Sequence, residues 1–400
     1  MPQEKSIPHN ILGSAFLLGF AMFAPMASIP PMEYILKEEL LVTHAQISLL
    51  FTIPLIMLVA LSIPGGLLAD RIGIRKAAGI GAIIIVVGSL LRGTATDFSS
   101  LLAFTFIYGT GFGLVFPSLP KLVSVWVPRE KAGVATGIFS AGMAVGVALP
   151  VAITVPVIFP MTNTFQGTFF IWAIPTIVAT ILWWILVKNS PHRSTSDEPP
   201  SQSNVLFRQV LQNKNLWLVA ILLLLNNFFM WTWVGWTPAL MTQKGATPDL
   251  AALIASVSMW VVIPSVFLIP RLSYKLGVRK PFIWIPSFVL AFVSLGAIFI
   301  SVPMGWVLMT LAGIANGARF VTIMALPVEM MPKETVGIAS GLIISIGYIG
   351  GVIGPLIGGH LFDLTGSLDL SLLVLIGVSV ATGSIALKIP ETGSKPKPEK

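Results

Sequence analysis

The chain has 400 residues, of which 55% are hydrophobic and only 10% are charged, and it contains no cysteine. Soluble domains carry roughly 25% charged residues, so this composition excludes an ordinary water-soluble domain. The absence of cysteine excludes disulfides, thiolate metal sites and cysteine nucleophiles, and the net charge of +8 is spread singly over short polar segments, unlike a nucleic-acid-binding groove.

Apolar segments of about 20 residues, the length of a helix that crosses a bilayer, occur about twelve times. The first has no small-residue cleavage site, so we expect a retained helix and not a signal peptide. The longest polar segment is rich in Ser and Pro, which is typical of a flexible linker. We predict an all-α membrane protein with a six-helix bundle in residues 1–188, a cytoplasmic linker in 189–215 and a second six-helix bundle in 216–400.

The polar turn between the second and third apolar segments combines glycines with closely spaced charges, in the order Gly65-Gly66-Leu67-Leu68-Ala69-Asp70-Arg71-Ile72-Gly73-Ile74-Arg75-Lys76. Glycines permit a tight turn and close helix approach. Asp70 is predicted to lie at a helix C-terminus, where the helix dipole disfavours a carboxylate, so it needs a cationic partner.

This turn resembles the signature loop of the major facilitator superfamily. The resemblance implies a transporter of two pseudo-symmetric bundles and a conformational latch that joins the halves on the cytoplasmic side. Its predicted members are Gly66, Asp70, Arg71, Gly73, Arg75 and Lys76. The alternative is a charged turn that only sets topology. The second half has Tyr274 where the aspartate would stand, so any latch is asymmetric.

The third and fourth apolar segments contain three polar candidates. Arg92 is predicted to have a structural role near the outer end of its helix. Tyr108 is a candidate hydrogen-bond donor to a ligand, and Lys121 either contacts an anion or extends towards the cytoplasm. The stretches 88–97 and 117–121 are loosely similar to the cyanate and nitrate/nitrite permease-like branches of the superfamily, which implies a small anion as substrate.

The seventh apolar segment places Asn226 and Asn227 in mid-helix, one turn before Trp231. Polar amides at this depth either bind substrate or join helices by hydrogen bonds. Trp231 is a further candidate for ligand contact, with packing as the alternative.

Arg319 is the most informative residue, because it lies in the middle of the tenth apolar segment. A charge at that depth costs several kcal/mol unless it faces a cavity or a partner. No carboxylate is predicted at the same depth, so we expect the planar guanidinium to bind an anionic ligand. The alternative is a structural arginine bonded to carbonyls and to amides such as Asn316.

The eleventh apolar segment contains Tyr348, a further candidate hydrogen-bond donor, followed by five glycines and a proline within residues 350–359. Such a composition permits close packing and bending. The superfamily's exporter pattern places a similar glycine–proline motif on the fifth helix, and its absence there weakens a drug-exporter interpretation.

An internal repeat relates the two halves. A shift of 204 residues without gaps makes several positions identical, including Gly73/Gly277, Arg75/Arg279, Pro128/Pro332, Glu130/Glu334, Gly146/Gly350. An even number of helices per repeat makes the repeats parallel, which predicts a substrate site near the midplane between the halves.

The distribution of Lys and Arg predicts that both termini are cytoplasmic. With twelve alternating helices, 19 of the 24 basic residues fall in cytoplasmic segments and only Lys37 and Lys244 in outside loops. The predicted location is the cell membrane.

The sequence therefore predicts a transporter that moves a small organic or inorganic anion, such as a monocarboxylate, cyanate or nitrate-like ion, by alternating access. The alternative is an exporter of hydrophobic compounds. An enzyme is disfavoured, because no nucleophile, acid–base pair or metal-ligand set gathers at one depth. We predict no cofactor or metal and no nucleic-acid partner. The expected partners are the lipid bilayer, the substrate and a co-transported ion. We expect the protein to be a monomer.

Overall fold

A computed structural model describes residues 9–127, 132–188, 209–331 and 335–393. Twelve helices in this part of the chain are long and apolar enough to cross a membrane, which confirms the predicted all-α architecture. We number them α1 to α12: His9–Ala27, His44–Ile72, Ile74–Arg92, Phe98–Val115, Ala132–Ile153, Phe165–Leu186, Lys214–Gln243, Pro248–Leu276, Pro281–Phe299, Val302–Met330, Val336–Thr365 and Asp369–Ala386.

Three of these helices are followed by short helical segments that continue the membrane span. The α1 span continues through the 3₁₀ turn Pro30–Met32 and the helix Glu33–Leu40, and the α4 span through Ser118–Trp126. The α5 span passes through a π-helical turn, Thr154–Ile158, into Phe159–Thr162. Prolines stand at or beside each break, and a proline cannot donate the hydrogen bond that continues a regular α-helix.

The helix ends follow from local capping chemistry. Thr43 and Asp97 each form a capping box at the start of α2 and α4, which satisfies main-chain donors at those ends. Gly73 ends α2 with a φ of 89°, and Gly277, its equivalent in the repeat, follows α8 with a φ of 67°. Glycine tolerates this left-handed backbone at no steric cost, which explains why both halves have it at this turn.

The described residues fall into two compact units. The first comprises Met1–Thr195 with Pro248–Leu253, and the second comprises Ser196–Thr247 with Ile254–Lys400. Residues 189–208 of the predicted linker lie outside the described part of the chain, as do the repeat pairs Pro128/Pro332 and Glu130/Glu334. The seventh helix begins at Lys214, inside the predicted linker, because the Asn213 side chain accepts the main-chain N–H of Asn215 at 3.0 Å.

Each unit repeats the same helix pairing. In the first, α1 packs against α5 and α6, and α3 packs against α4 and α6; in the second, α7 packs against α11 and α12, and α9 against α10 and α12. The repeat extends to single contacts. A Cβ added to Gly146 would meet the carbonyl of Phe20, and one added to Gly350 would meet the carbonyl of Leu224, and both pairs are related by the shift of 204.

Candidate functional site

The candidate site is the buried guanidinium of Arg319 on α10, whose side chain is 0% exposed. Its Nε donates a hydrogen bond to Oδ1 of Asn226 at 2.8 Å, and its central carbon lies 5.2 Å from the ring centroid of Phe229. Nη1 and Nη2 are buried and have no hydrogen-bond partner among the described residues. Within that part of the chain, no ion pair includes Arg319.

The seventh helix supplies the neighbours of this guanidinium from one face. Asn226, Phe229 and Trp233 follow at spacings of three and four residues, which places them above one another on a helix. The rings of Phe229 and Trp233 stack with centroids 5.5 Å apart and an interplanar angle of 14°. Because α7 packs against α10, this face holds the guanidinium between an amide and an aromatic ring.

Two further amides complete the polar surroundings. Asn226 and Asn227 are 0% and 1% exposed, and Nδ2 of Asn226 donates to Oδ1 of Asn227 at 3.4 Å. Nδ2 of Asn227 has no hydrogen-bond partner among the described residues, and neither has Oδ1 of Asn316, which lies one turn before Arg319 on α10. The structure therefore brings together three of the residues singled out in the sequence: Arg319, Asn226 and Asn227.

Two further residues of the second unit, Trp231 and Tyr348, were predicted to contact a ligand. Trp231 is buried on α7, and Tyr348 is half-buried on α11. Both have interaction partners of their own. Their roles in binding stay predictions. Phe229 was not predicted, although its position three residues after Asn226 would have placed it on the same helix face.

Tyr108 belongs to a packed cluster within the first unit. Its hydroxyl donates to the main-chain carbonyl of Met22, and its ring lies 5.4 Å from the guanidinium carbon of Arg92. Arg92 is buried, donates from Nη1 to the carbonyl of Pro25 at 2.9 Å, and lies 4.2 Å from the ring centroid of Phe169. In this structure the Tyr108 hydroxyl therefore donates to α1, whereas the sequence suggested that it donates to a ligand.

Lys121 also has a partner within the first unit, because its ammonium forms an ion pair with the carboxylate of Asp70. This contact supplies the cation that Asp70 needs at the end of α2. In this structure, Lys121 therefore pairs with a carboxylate of the protein, in contrast to the anionic-ligand contact suggested from the sequence.

Of the other predicted latch residues, Arg75 has interaction partners within the same unit. Arg75 donates from Nη2 to the carbonyl of Trp184 at 2.7 Å and lies 5.4 Å from that tryptophan's ring. Gly73 provides the turn, an added Cβ at Gly66 would meet nothing within 4 Å, and Arg71 and Lys76 are exposed. The latch function of these residues stays a prediction.

Twelve apolar helices in two repeated units, each with one fully buried arginine among its described residues, are the architecture of a multi-pass membrane protein. The family model described as Major Facilitator Superfamily matches residues 11–247 and 236–400. The chain therefore belongs to the major facilitator superfamily, as the loop at residues 65–76 indicated, and its family and fold are those of a transporter and not of an enzyme.

The chain is similar to two named bacterial transporters. It is 23% identical to "Probable sulfoacetate transporter SauU" of Cupriavidus necator, over 96% of this chain and 94% of that protein. It is 29% identical to "Probable nitrate transporter NarT" of Staphylococcus aureus over 32% of each chain. The crystal structure of a D-xylose-proton symporter superposes with a TM-score of 0.80, at 16% identity and covering 98% of this chain and all of that one, which supports the fold alone.

Proposed function

We propose that this transporter carries a small anion and that Arg319 binds it. The observation that carries the proposal is the state of the guanidinium: fully buried, held at Nε by a neutral amide, and without a partner at Nη1 and Nη2 among the described residues. A buried charge that lacks a counterion costs several kcal/mol. An anionic substrate that accepts both Nη hydrogen bonds offsets this cost.

The chemistry of the site matches an oxyanion. The free edge of the guanidinium presents two parallel N–H groups, the geometry that carboxylate, sulfonate and nitrate oxygens accept. The names of the two relatives point the same way, because sulfoacetate and nitrate are both oxyanions. Transport by alternating access further requires that the anion bind one conformation differently from another, since equal affinity for both shifts no population.

The test is uptake of a panel of small anions into proteoliposomes, with and without a pH gradient, by the wild type and by Arg319→Ala. Removing one partner of a buried charged pair costs about 2–5 kcal/mol, so we expect anion uptake to fall roughly 30-fold or more. Arg271→Ala is the matched control, because Arg271 is an exposed arginine on the neighbouring α8. It should transport like the wild type.

Two results of this experiment would count against the proposal. An Arg319→Ala protein that transports anions at the wild-type rate would contradict it. Export of hydrophobic compounds that survives this substitution, without anion uptake by the wild type, would favour the alternative function. The pH-gradient arm determines whether a proton moves with the substrate.

A further inference from the structure

Arg319 determines how the side-chain amides of Asn226 and Asn227 are oriented. A guanidinium has only donors, so the Asn226 atom 2.8 Å from Nε must be the carbonyl oxygen. Nδ2 of Asn226 then points to Asn227, whose oxygen accepts its N–H at 3.4 Å. Asn227 is left with Nδ2 as its free group, and this nitrogen is buried without a partner among the described residues.

Three nitrogen donors are therefore available in one hydrogen-bonded cluster: Nη1 and Nη2 of Arg319, and Nδ2 of Asn227. A buried donor without an acceptor carries its full desolvation cost, so all three favour a ligand that supplies acceptors. Asn316 adds an adaptable amide, because its Oδ1 has no partner among the described residues and no hydrogen bond fixes which way this amide points.

The approach to the guanidinium is also restricted. Asn226 occupies Nε, which leaves the edge formed by Nη1 and Nη2 for a ligand. Phe229 lies 5.2 Å away by its ring centroid, so it limits approach on the ring side. A ligand in the plane of the free edge satisfies two donors through two oxygens. A third oxygen gives the Asn227 donor an acceptor of its own, whereas a two-oxygen head must share one oxygen between two donors.

Building on the anion-carrier function proposed above, we infer that the substrate head presents at least three acceptor oxygens, two for Arg319 and one for Asn227. Nitrate, sulfonates and 2-oxo- or 2-hydroxycarboxylates have such a head, whereas acetate offers only two oxygens. In this arrangement Asn227 determines specificity, and Asn226 is a positioning residue that orients both donors.

The experiment measures binding of nitrate, pyruvate and acetate to the purified protein, followed by uptake in proteoliposomes. The wild type should bind nitrate and pyruvate roughly tenfold or more tightly than acetate, because a hydrogen bond to a charged group contributes about that factor. Asn227→Ala should lose this preference: its affinity for nitrate and pyruvate falls roughly tenfold, while acetate stays within about twofold. Asn215→Ala is the control, since Asn215 is an exposed amide on the same helix.

A second variant separates this inference from the function on which it rests. Asn226→Asp keeps an acceptor for Nε but places a carboxylate against the guanidinium, so it should weaken all three anions roughly tenfold or more. If Asn226→Asp and Arg319→Ala lose anion binding but Asn227→Ala weakens the three probes equally, the three-oxygen inference is wrong and the anion-carrier function stands. If Arg319→Ala binds anions normally, the anion-carrier function itself fails.

The wild-type ranking needs no variant, so it decides the matter even if Asn227→Ala fails to fold. Equal affinities for acetate and pyruvate, or no binding of either three-oxygen probe, overturn the inference. Size-exclusion chromatography of each variant shows whether a loss of binding reflects misfolding.

Discussion

Two buried arginines in the described part of the chain, Arg92 and Arg319, have different surroundings. Arg92 donates to the carbonyl of Pro25, near the carboxyl end of α1, where the helix dipole favours a cation. Its other two nitrogens have no hydrogen-bond partner among the described residues, but the rings of Phe169 and Tyr108 lie 4.2 and 5.4 Å from its guanidinium carbon. Arg319 has one amide and one ring, so its charge is the less compensated.

We predict that substitutions of these two arginines separate stability from anion binding. Arg92→Ala leaves a cavity and removes a helix-end contact, which should cost about 2–4 kcal/mol of stability and lower the melting temperature in detergent. An anion that binds the folded protein should raise the melting temperature of the wild type. The conservative Arg92→Lys variant should keep this rise, whereas Arg319→Lys should lose it, because an ammonium cannot reproduce the planar fork of a guanidinium. Loss of the anion effect in Arg92→Lys but not in Arg319→Lys would reverse the assignment.

At the scale of elements, the closest helix contact in the second unit is that of α11 with α7. A Cβ added to Gly350 would overlap the carbonyl of Leu224, and one added to Gly354 would overlap Thr232 and the carbonyl of Phe228. These glycines let the two backbones approach closely. Because there is no hydrophobic driving force between helices in lipid, dispersion contacts at such close approaches stabilise the helix pair. The contact also fixes α7, which holds Asn226 and Phe229 against Arg319.

The matched pair Gly350→Ala and Gly341→Ala tests this packing within one helix. Overpacking at Gly350 should destabilise the protein by about 1–3 kcal/mol. At Gly341, an added Cβ meets nothing within 4 Å and the residue is exposed, so alanine should be neutral or stabilise by up to about 1 kcal/mol. Thermal melts of both proteins give the answer, and equal melting temperatures would show that α11 does not depend on this close approach.

At the scale of the whole molecule, the open prediction is the orientation in the membrane, which rests on the distribution of basic residues. With both termini in the cytoplasm, the turn between α3 and α4 lies outside, and the segment after α12 lies inside. Thr96 and Lys388 are exposed residues of these two segments.

The absence of cysteine makes this orientation directly measurable. We expect a membrane-impermeant maleimide to label Thr96→Cys in intact cells and to label Lys388→Cys only after permeabilisation. The opposite pattern would place both termini outside. Labelling of the unsubstituted protein provides the background.

Much of the fold could be read from the sequence because the bilayer makes the decisive interactions local. Lipid offers no hydrogen bonds, so each apolar segment must satisfy its own backbone as a helix, and twelve such segments specify twelve spans. The turn glycines Gly73 and Gly277 and the packing pair Gly146 and Gly350 were visible as a repeat, since each is required by its own backbone conformation or contact. The exceptional residue, Arg319, was also visible, because a charge within an apolar segment is costly wherever it points.

What only the tertiary structure decided is which side chains meet. Arg319 bonds to Asn226 and not to Asn316, Lys121 pairs with Asp70, and the Tyr108 hydroxyl donates to Met22. These contacts depend on how each helix is rotated about its axis and how closely it packs on a helix distant in sequence, and hydropathy carries neither quantity. The sequence by itself therefore determined the spans, the repeat and the presence of a cation in mid-span, whereas helix packing determined that two nitrogens of Arg319 are buried without a hydrogen-bond partner among the described residues.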